Sequence, residues 1–243
     1  MADEERGRAT GLRVVVSWPQ SEYAPAPGPL VSLRARIAGL AGTLLILAGV
    51  VAVGVALATQ VHAPQPTPAA AGAIGPFQGR THGPSLRRSA PVAVDIPAIG
   101  VHSKLLQLGA NPDGTIQVPS LTTEAGEAAW FTYSATPGQI GTSVIEGHVD
   151  TYRGPAVFFN LGALRPGNRI DVTLADGIVA VFRVTGVRQY LKSHFPAKTI
   201  YHTHGFAALH LITCGGVFDY ATRNYLSSTV VFAALTSSRR AGG

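Results

Sequence analysis

The sequence predicts a mostly β domain, a barrel or a sandwich with short helices, preceded by one N-terminal transmembrane helix. Two observations lead there. From Pro91 to about Leu235, short apolar or alternating runs recur between Gly- and Pro-containing turns, with little amphipathic helix among them. Ahead of that region, residues 37–58 carry no charge and only Thr43 as a polar side chain. A helix of those 22 residues is about 33 Å long, enough to cross a hydrocarbon core of roughly 30 Å.

Taken in order, residues 1–36 mix charges with Pro and Gly, without sustained periodicity, and read as a flexible cytoplasmic tail. Residues 37–59 form the anchor. Arg34 and Arg36 precede it and no charge follows until Arg80, so the positive-inside rule puts the N-terminus in the cytoplasm and the rest of the chain outside a single-pass cell membrane. A cleaved signal peptide is the competing reading, but its apolar region is shorter and nearer the start of a chain. Residues 60–90, with Pro64, Pro66, Pro68, Pro76 and Pro84 among Ala and Gly, read as a spacer. Residues 91–236 are the folded domain and 237–243 a C-terminal tail. Strands are expected over 92–96, 142–146, 170–174, 178–184, 206–213 and 229–234. Asp176-Gly177 closes a hairpin, and short helices are expected near 155–161 and 122–129.

Charge excludes one class of function. The net charge is +6, yet from Pro91 onward 11 Lys and Arg face 9 Asp and Glu, with no basic patch interleaved with aromatics, so no nucleic-acid partner is expected. No HExxH, CxxC or zinc-ligand spacing occurs, and His202-Thr203-His204 lacks an adjoining acid or thiol. No GxSxG elbow or phosphate-cradling loop is present either. Neither a metal nor a cofactor is expected.

The chain has one cysteine, so Cys214 has no internal disulfide partner. It follows the apolar run Leu211-Ile212-Thr213 and precedes Gly215-Gly216, which reads as a strand end with bare backbone beside the sulfur. A nucleophilic thiol needs a proton-handling partner. His148 also follows a strand-like run, with Gly147 at its side. His102 and His210 lie in strand-like stretches, His194, His202 and His204 in loop-like ones, and His62 and His82 in the spacer. Arg223, nine residues after Cys214 and before the last strand, is the candidate for steadying a carbonyl oxygen that acquires charge.

Together these blocks resemble the sortases, extracytoplasmic cysteine transpeptidases of Gram-positive bacteria, and are most similar to the class F sortases of actinobacteria. The likeness runs from about Val92 to Ala234. It rests on Leu211-Ile212-Thr213-Cys214, with Leu in place of the family's first Thr, and on Cys214-Gly215-Gly216-Val217-Phe218-Asp219. It also rests on Gly147-His148-Val149-Asp150, Gly154-Pro155-Ala156-Val157-Phe158-Phe159, Leu164-Arg165-Pro166-Gly167, and Tyr190-Leu191-Lys192 with Phe195-Pro196. The resemblance implies a closed barrel of about eight strands. It makes Cys214 the nucleophile, His148 its proton-handling partner and Arg223 the third residue, with Asn224 and Arg188 as fallback donors. It further implies that the enzyme cleaves an LPxTG-like signal in secreted proteins through a thioester and transfers them to an amine of a peptidoglycan precursor. Tyr225-Leu226-Ser227-Ser228 departs from the Asn that often precedes the family's final strand.

Three rival readings differ in residue order or motif. A papain-like amidase has Cys before His, the reverse of this chain, and an L,D-transpeptidase shows a Ser-x-Gly-Cys-Arg-like block that Thr213-Cys214-Gly215-Gly216 does not match. A membrane-tethered binding barrel without chemistry is the third.

Overall fold

Alternating apolar residues with small or polar ones gives strands one face for a core, and eight such strands close on themselves here. The computed structural model describes residues 45–52, 62–71, 84–201 and 205–242. The chain divides into two units, 1–60 and 61–243. In the first, residues 45–52 are helical. The rest of the anchor expected over 37–59 lies outside the described residues, as do the tail 1–36, His82, His202 and His204. No helix among the described residues is long and apolar enough to cross a membrane.

The second unit contains β1 (Pro91–Ile96), β2 (Val101–Leu108), β3 (Ala128–Phe131), β4 (Gly141–Glu146), β5 (Asp150–Thr151), β6 (Gly154–Pro155), β7 (Arg169–Leu174), β8 (Ile178–Leu191), β9 (Ala207–Asp219) and β10 (Asn224–Arg240). The barrel order is β1-β2-β3-β4-β9-β10-β8-β7, closing where β7 pairs with β1, and β5 and β6 form a separate small hairpin. Closure leaves no long unpaired edge among the eight barrel strands. Two neighbours are parallel, β2 with β3 and β4 with β9; the other pairs are antiparallel.

Side chains sort by face. Ile145, Phe158, Leu161, Leu164, Phe182, Leu209, Leu211 and Val231 fill the barrel. Val144, Ile212, Val230 and Phe232 point outward and join Ile200 in a second cluster, against which Phe131, Tyr190, Phe195 and Tyr201 pack. The barrel wall is therefore buried on both sides where β4, β9 and β10 adjoin.

Several elements differ from the sequence expectation. The strand expected to stop at Thr213 runs through Cys214 to Asp219, because β10 pairs with it on both sides of a bulge at Gly216 and Val217; Cys214 thus lies inside a strand. The last strand continues to Arg240, paired with Ile178. No helix forms over 122–129: Glu124 accepts the Ser120 N–H at 2.9 Å and closes a turn that leads into β3. Near 155–161, Gly154 and Pro155 pair with β5, and only a 3-10 turn follows at Leu161–Ala163.

Part of the Pro- and Ala-rich stretch read as spacer packs on the barrel. Ala70 is fully buried in the core, and Gln189 donates a side-chain hydrogen bond to Gln65. A Cβ on Gly162 would stand 2.0 Å from the Pro64 carbonyl oxygen. Gly162→Ala is therefore expected to displace residues 62–71 while the barrel persists, at a cost of about 1–3 kcal/mol. Limited proteolysis would show faster cleavage in this segment, with unchanged β-sheet circular dichroism.

Candidate active site

Parallel strands end on the same side, so residues that follow them emerge together. The last registered pair of β4 and β9 is Glu146 with Ile212, and the Gly147 N–H donates to the Ile212 carbonyl at 3.2 Å. His148 lies two residues beyond Glu146, and Cys214 two residues beyond Ile212. Both therefore lie at the same end of the parallel pair, His148 just beyond β4 and Cys214 within β9. Leu209 and Leu211 face the core while Ile212 faces outward; alternation turns the partly buried Cys214 outward too.

The His148 backbone is held from behind. Its carbonyl accepts the Phe158 N–H at 2.9 Å, and that of Val149 accepts the Ala156 N–H at 3.0 Å. Gly147 has no room for a side chain, since a Cβ there would meet Val157 at 2.6 Å and Phe158 at 2.8 Å. The imidazole Nε2 is 2.6 Å from the Pro119 carbonyl oxygen. A carbonyl only accepts, so Nε2 carries the hydrogen and Nδ1 is the nitrogen that gains or loses a proton.

Behind the sulfur, Gly216 adopts φ +78°, a left-handed backbone suited to glycine, and a Cβ there would meet the Ser227 side chain at 2.8 Å. Here β9 carries an extra residue relative to β10, which bulges the hairpin that follows Cys214.

The four predicted donors and partners are distributed unevenly. Cys214 pairs with Ser228, which pairs in turn with Tyr190 on β8. One row lower on the same outward face run Glu146, Ile212, Val230 and Arg188. The Arg188 Nε is buried and has no hydrogen-bond partner among the described residues. Arg223 is elsewhere: it is exposed in the β9–β10 turn with φ 52°, five residues before Ser228, the partner of Cys214. That turn is shaped by Asp219, which accepts from the Ala221 N–H at 2.9 Å and the Thr222 hydroxyl at 2.7 Å; these bonds hold its carboxyl below the usual range. Asn224 accepts from Lys192 at 2.7 Å. The structure thus places His148 and Cys214 at the same end of the β4–β9 pair, keeps Arg188 on the outward face of the barrel, and leaves Arg223 and Asn224 at the hairpin end.

The remaining described histidines have other surroundings. His210 Nδ1 is 2.7 Å from the Ile200 carbonyl and the ring packs on Phe232; His102 lies 2.6 Å from Asp95, and His194 2.9 Å from the Ser193 hydroxyl. Among the described residues no group of three or more His, Cys, Asp or Glu could hold a metal ion.

Sequence reasoning gave no role to two contacts at this site. The Tyr225 hydroxyl donates to Asp150, two residues past His148. Burial, that bond and the charges of Asp150, Cys214 and Tyr220 raise the Tyr225 pKa, so the phenol stays protonated within electrostatic reach of the sulfur. Tyr225 thus ties the strand after Cys214 to the segment after His148. Glu146 accepts from the Tyr201 hydroxyl at 3.2 Å, and burial raises its carboxyl from 4.5 to about 7.

The Sortase domain family profile matches residues 94–236. No curated protein matches the chain. Among solved structures the chain is similar to sortase A of Listeria monocytogenes, with 15% identity, 63% of this chain and 91% of that one covered, and a TM-score of 0.47. It is also similar to the sortase D5 transpeptidase of Clostridium perfringens, with 21% identity, 61% and 79% covered, and a TM-score of 0.45. For the Actinomyces oris SrtA sortase the values are 18%, 64% and 85%, and 0.44.

Glu146 gives stability a signed dependence on pH. Between about 4.5 and 7 the folded chain holds this proton and the unfolded chain releases it, so the contribution to stability falls as pH rises across that window. Glu146→Gln removes the slope. The variant should unfold at the same temperature as the parent near pH 4 and be more stable by about 1–3 kcal/mol at pH 8, measured by calorimetry across pH.

Proposed function

The chain belongs to the sortase family, and from that premise we propose that it is a membrane-anchored cysteine transpeptidase of class F type. In this reading the Cys214 sulfur is the nucleophile, and the carrying observation is the parallel register of β4 and β9, whose last pair, Glu146 with Ile212, lies two residues before His148 and Cys214. The substrate is a secreted protein with an LPxTG-like sorting signal. The thiolate attacks the Thr–Gly carbonyl carbon, forming a C–S bond and an oxyanion. The intermediate collapses with cleavage of the C–N bond, and the departing amine takes the proton from His148 Nδ1. The product is a thioester on Cys214.

An amine of a peptidoglycan precursor then attacks the thioester carbonyl and gives its proton to His148. The C–S bond breaks, the thiolate is restored, and a new amide is formed. Amide exchange through a thioester conserves bond energy, so neither ATP nor metal enters the scheme. Two uses of the imidazole need one nitrogen free, which the Nε2 bond to Pro119 provides.

The oxyanion needs a donor. Arg223 is the sequence candidate, but its position at the exposed hairpin tip argues against it. Arg188, on the outward face with a buried, unpartnered Nε, is the better situated guanidinium. Anchoring through residues 37–59, with the barrel outside the cell, is part of the same proposal. It would hold enzyme, emerging substrates and a lipid-linked acceptor near one plane, raising their effective concentration.

Incubation with an LPxTG peptide followed by intact-mass analysis tests the chemistry. A hydroxylamine-sensitive adduct should form, vanish in Cys214→Ala, and form about 100-fold more slowly or worse in His148→Ala. Absence of any adduct across a panel of sorting-signal peptides would reject the reading. For the donor, Arg188→Ala should lower kcat by about 100-fold while Arg223→Ala changes it less than about threefold; the reverse result would restore Arg223.

A further inference from the structure

The residues below the sulfur make an unusual floor. Glu146 stands one row beneath His148 and Cys214, on the face that carries the second cluster. One carboxylate oxygen accepts from Tyr201, and no cation pairs with the group among the described residues. Tyr201 belongs to a chain of rings that is half-buried except for the exposed Tyr133. Tyr133 lies 5.6 Å from Phe131, Phe131 6.2 Å from Tyr201, Tyr201 6.3 Å from Phe195, and Phe195 6.2 Å from Tyr190.

A lone carboxylate among aromatic rings is costly to ionise without a partner. Its energetic complement is a cation, which gains from both the carboxylate charge and the negative faces of the rings. We infer that Glu146, Tyr201 and Phe131 form a subsite for the cationic side chain, lysine or arginine, of the peptide that acylates Cys214. This rests on the transpeptidase reading, and it adds a charge preference within the residues that precede the scissile bond.

The occupant is the acylating peptide. An attacking amine must come within about 3.5 Å of the thioester carbon, and Glu146 is about 7 Å down the strand from that level. An extended peptide whose carbonyl meets Cys214 presents side chains every ~3.3 Å, so a residue about two positions away spans the distance to the Glu146 row, and the inference puts the side upstream of the threonine there. Burial keeps this carboxylate poorly ionised when unpartnered, and an incoming cation would hold it ionised.

The test uses the full chain carrying Cys214→Ala, which binds peptide without turning it over. Sorting-signal peptides carry Lys, Met or Glu in turn at each of the three positions before the threonine, and affinity is read by calorimetry. At one position Lys should bind about tenfold more tightly than Met, with Glu weakest, and adding Glu146→Gln should shrink the Lys advantage to less than about twofold. Glu146→Gln is isosteric and leaves the fold in place. No Lys preference at any position, or a preference that survives Glu146→Gln, overturns the inference. Offering the same peptides to the chain with Cys214 intact reports separately on the transpeptidase reading: binding with the Lys preference but no thioester would count against that reading alone.

Discussion

The parallel pairing of β4 with β9 is the constraint on which the rest of the site depends. Antiparallel neighbours would send the residues after Glu146 and after Ile212 to opposite ends of the barrel. Parallel neighbours in this register send the residues that follow, His148 and Cys214 among them, to the same end of the barrel, though 66 positions separate these two in the chain. Parallel strands need a long connection, and here the intervening chain contributes β5 to β8. Of these β7 and β8 close the barrel, and the residues just after β6, Ala156 and Phe158, back the histidine segment.

Backbone and side-chain bonds lock this juxtaposition on several sides. Gly147 admits Val157 and Phe158 against the strand end; Pro119 fixes the imidazole tautomer; Tyr225 binds Asp150 and joins the segments that follow the two residues. Each contact takes its partner from a different stretch of sequence. In the proposed reaction, positioning of this kind would let the imidazole serve one carbon twice, as acid and then as base. The outward face below carries Glu146, His210 and Arg188 among apolar residues, with Val144, Ile212, Val230 and Phe232 buried against Phe131, Tyr190, Phe195 and Tyr201.

What could be read in the sequence followed from local physics. Alternation and turn residues gave β1, β4, β7, the start of β8, and the cores of β9 and β10, and the glycines beside His148 and Cys214 marked both residues. The pairing of β4 with β9 could not be read, because nothing in either strand specifies a partner 61 or more residues away. Strand lengths were missed for the same reason: Gly215 and Gly216 read as a stop, yet β10 carries β9 on to Asp219 through a bulge. That extension moves the turn outward, and with it Arg223, nine residues after Cys214. The burial of Glu146 and the reach of Tyr225 across 75 positions to Asp150 are tertiary facts with no local signature.

The register of β4 on β9 is open to direct chemical measurement, because Cys214 is the only thiol in the chain. His148→Cys introduces a second, and neighbouring strands about 4.8 Å apart lie within the Cα separation of about 4.4–6.8 Å that a disulfide spans. Mild oxidation followed by intact-mass analysis should show the loss of two hydrogens and no alkylation of either thiol, restored by reductant. Two thiols that remain free and alkylate independently under the same oxidant would contradict the juxtaposition, and with it the site built on it.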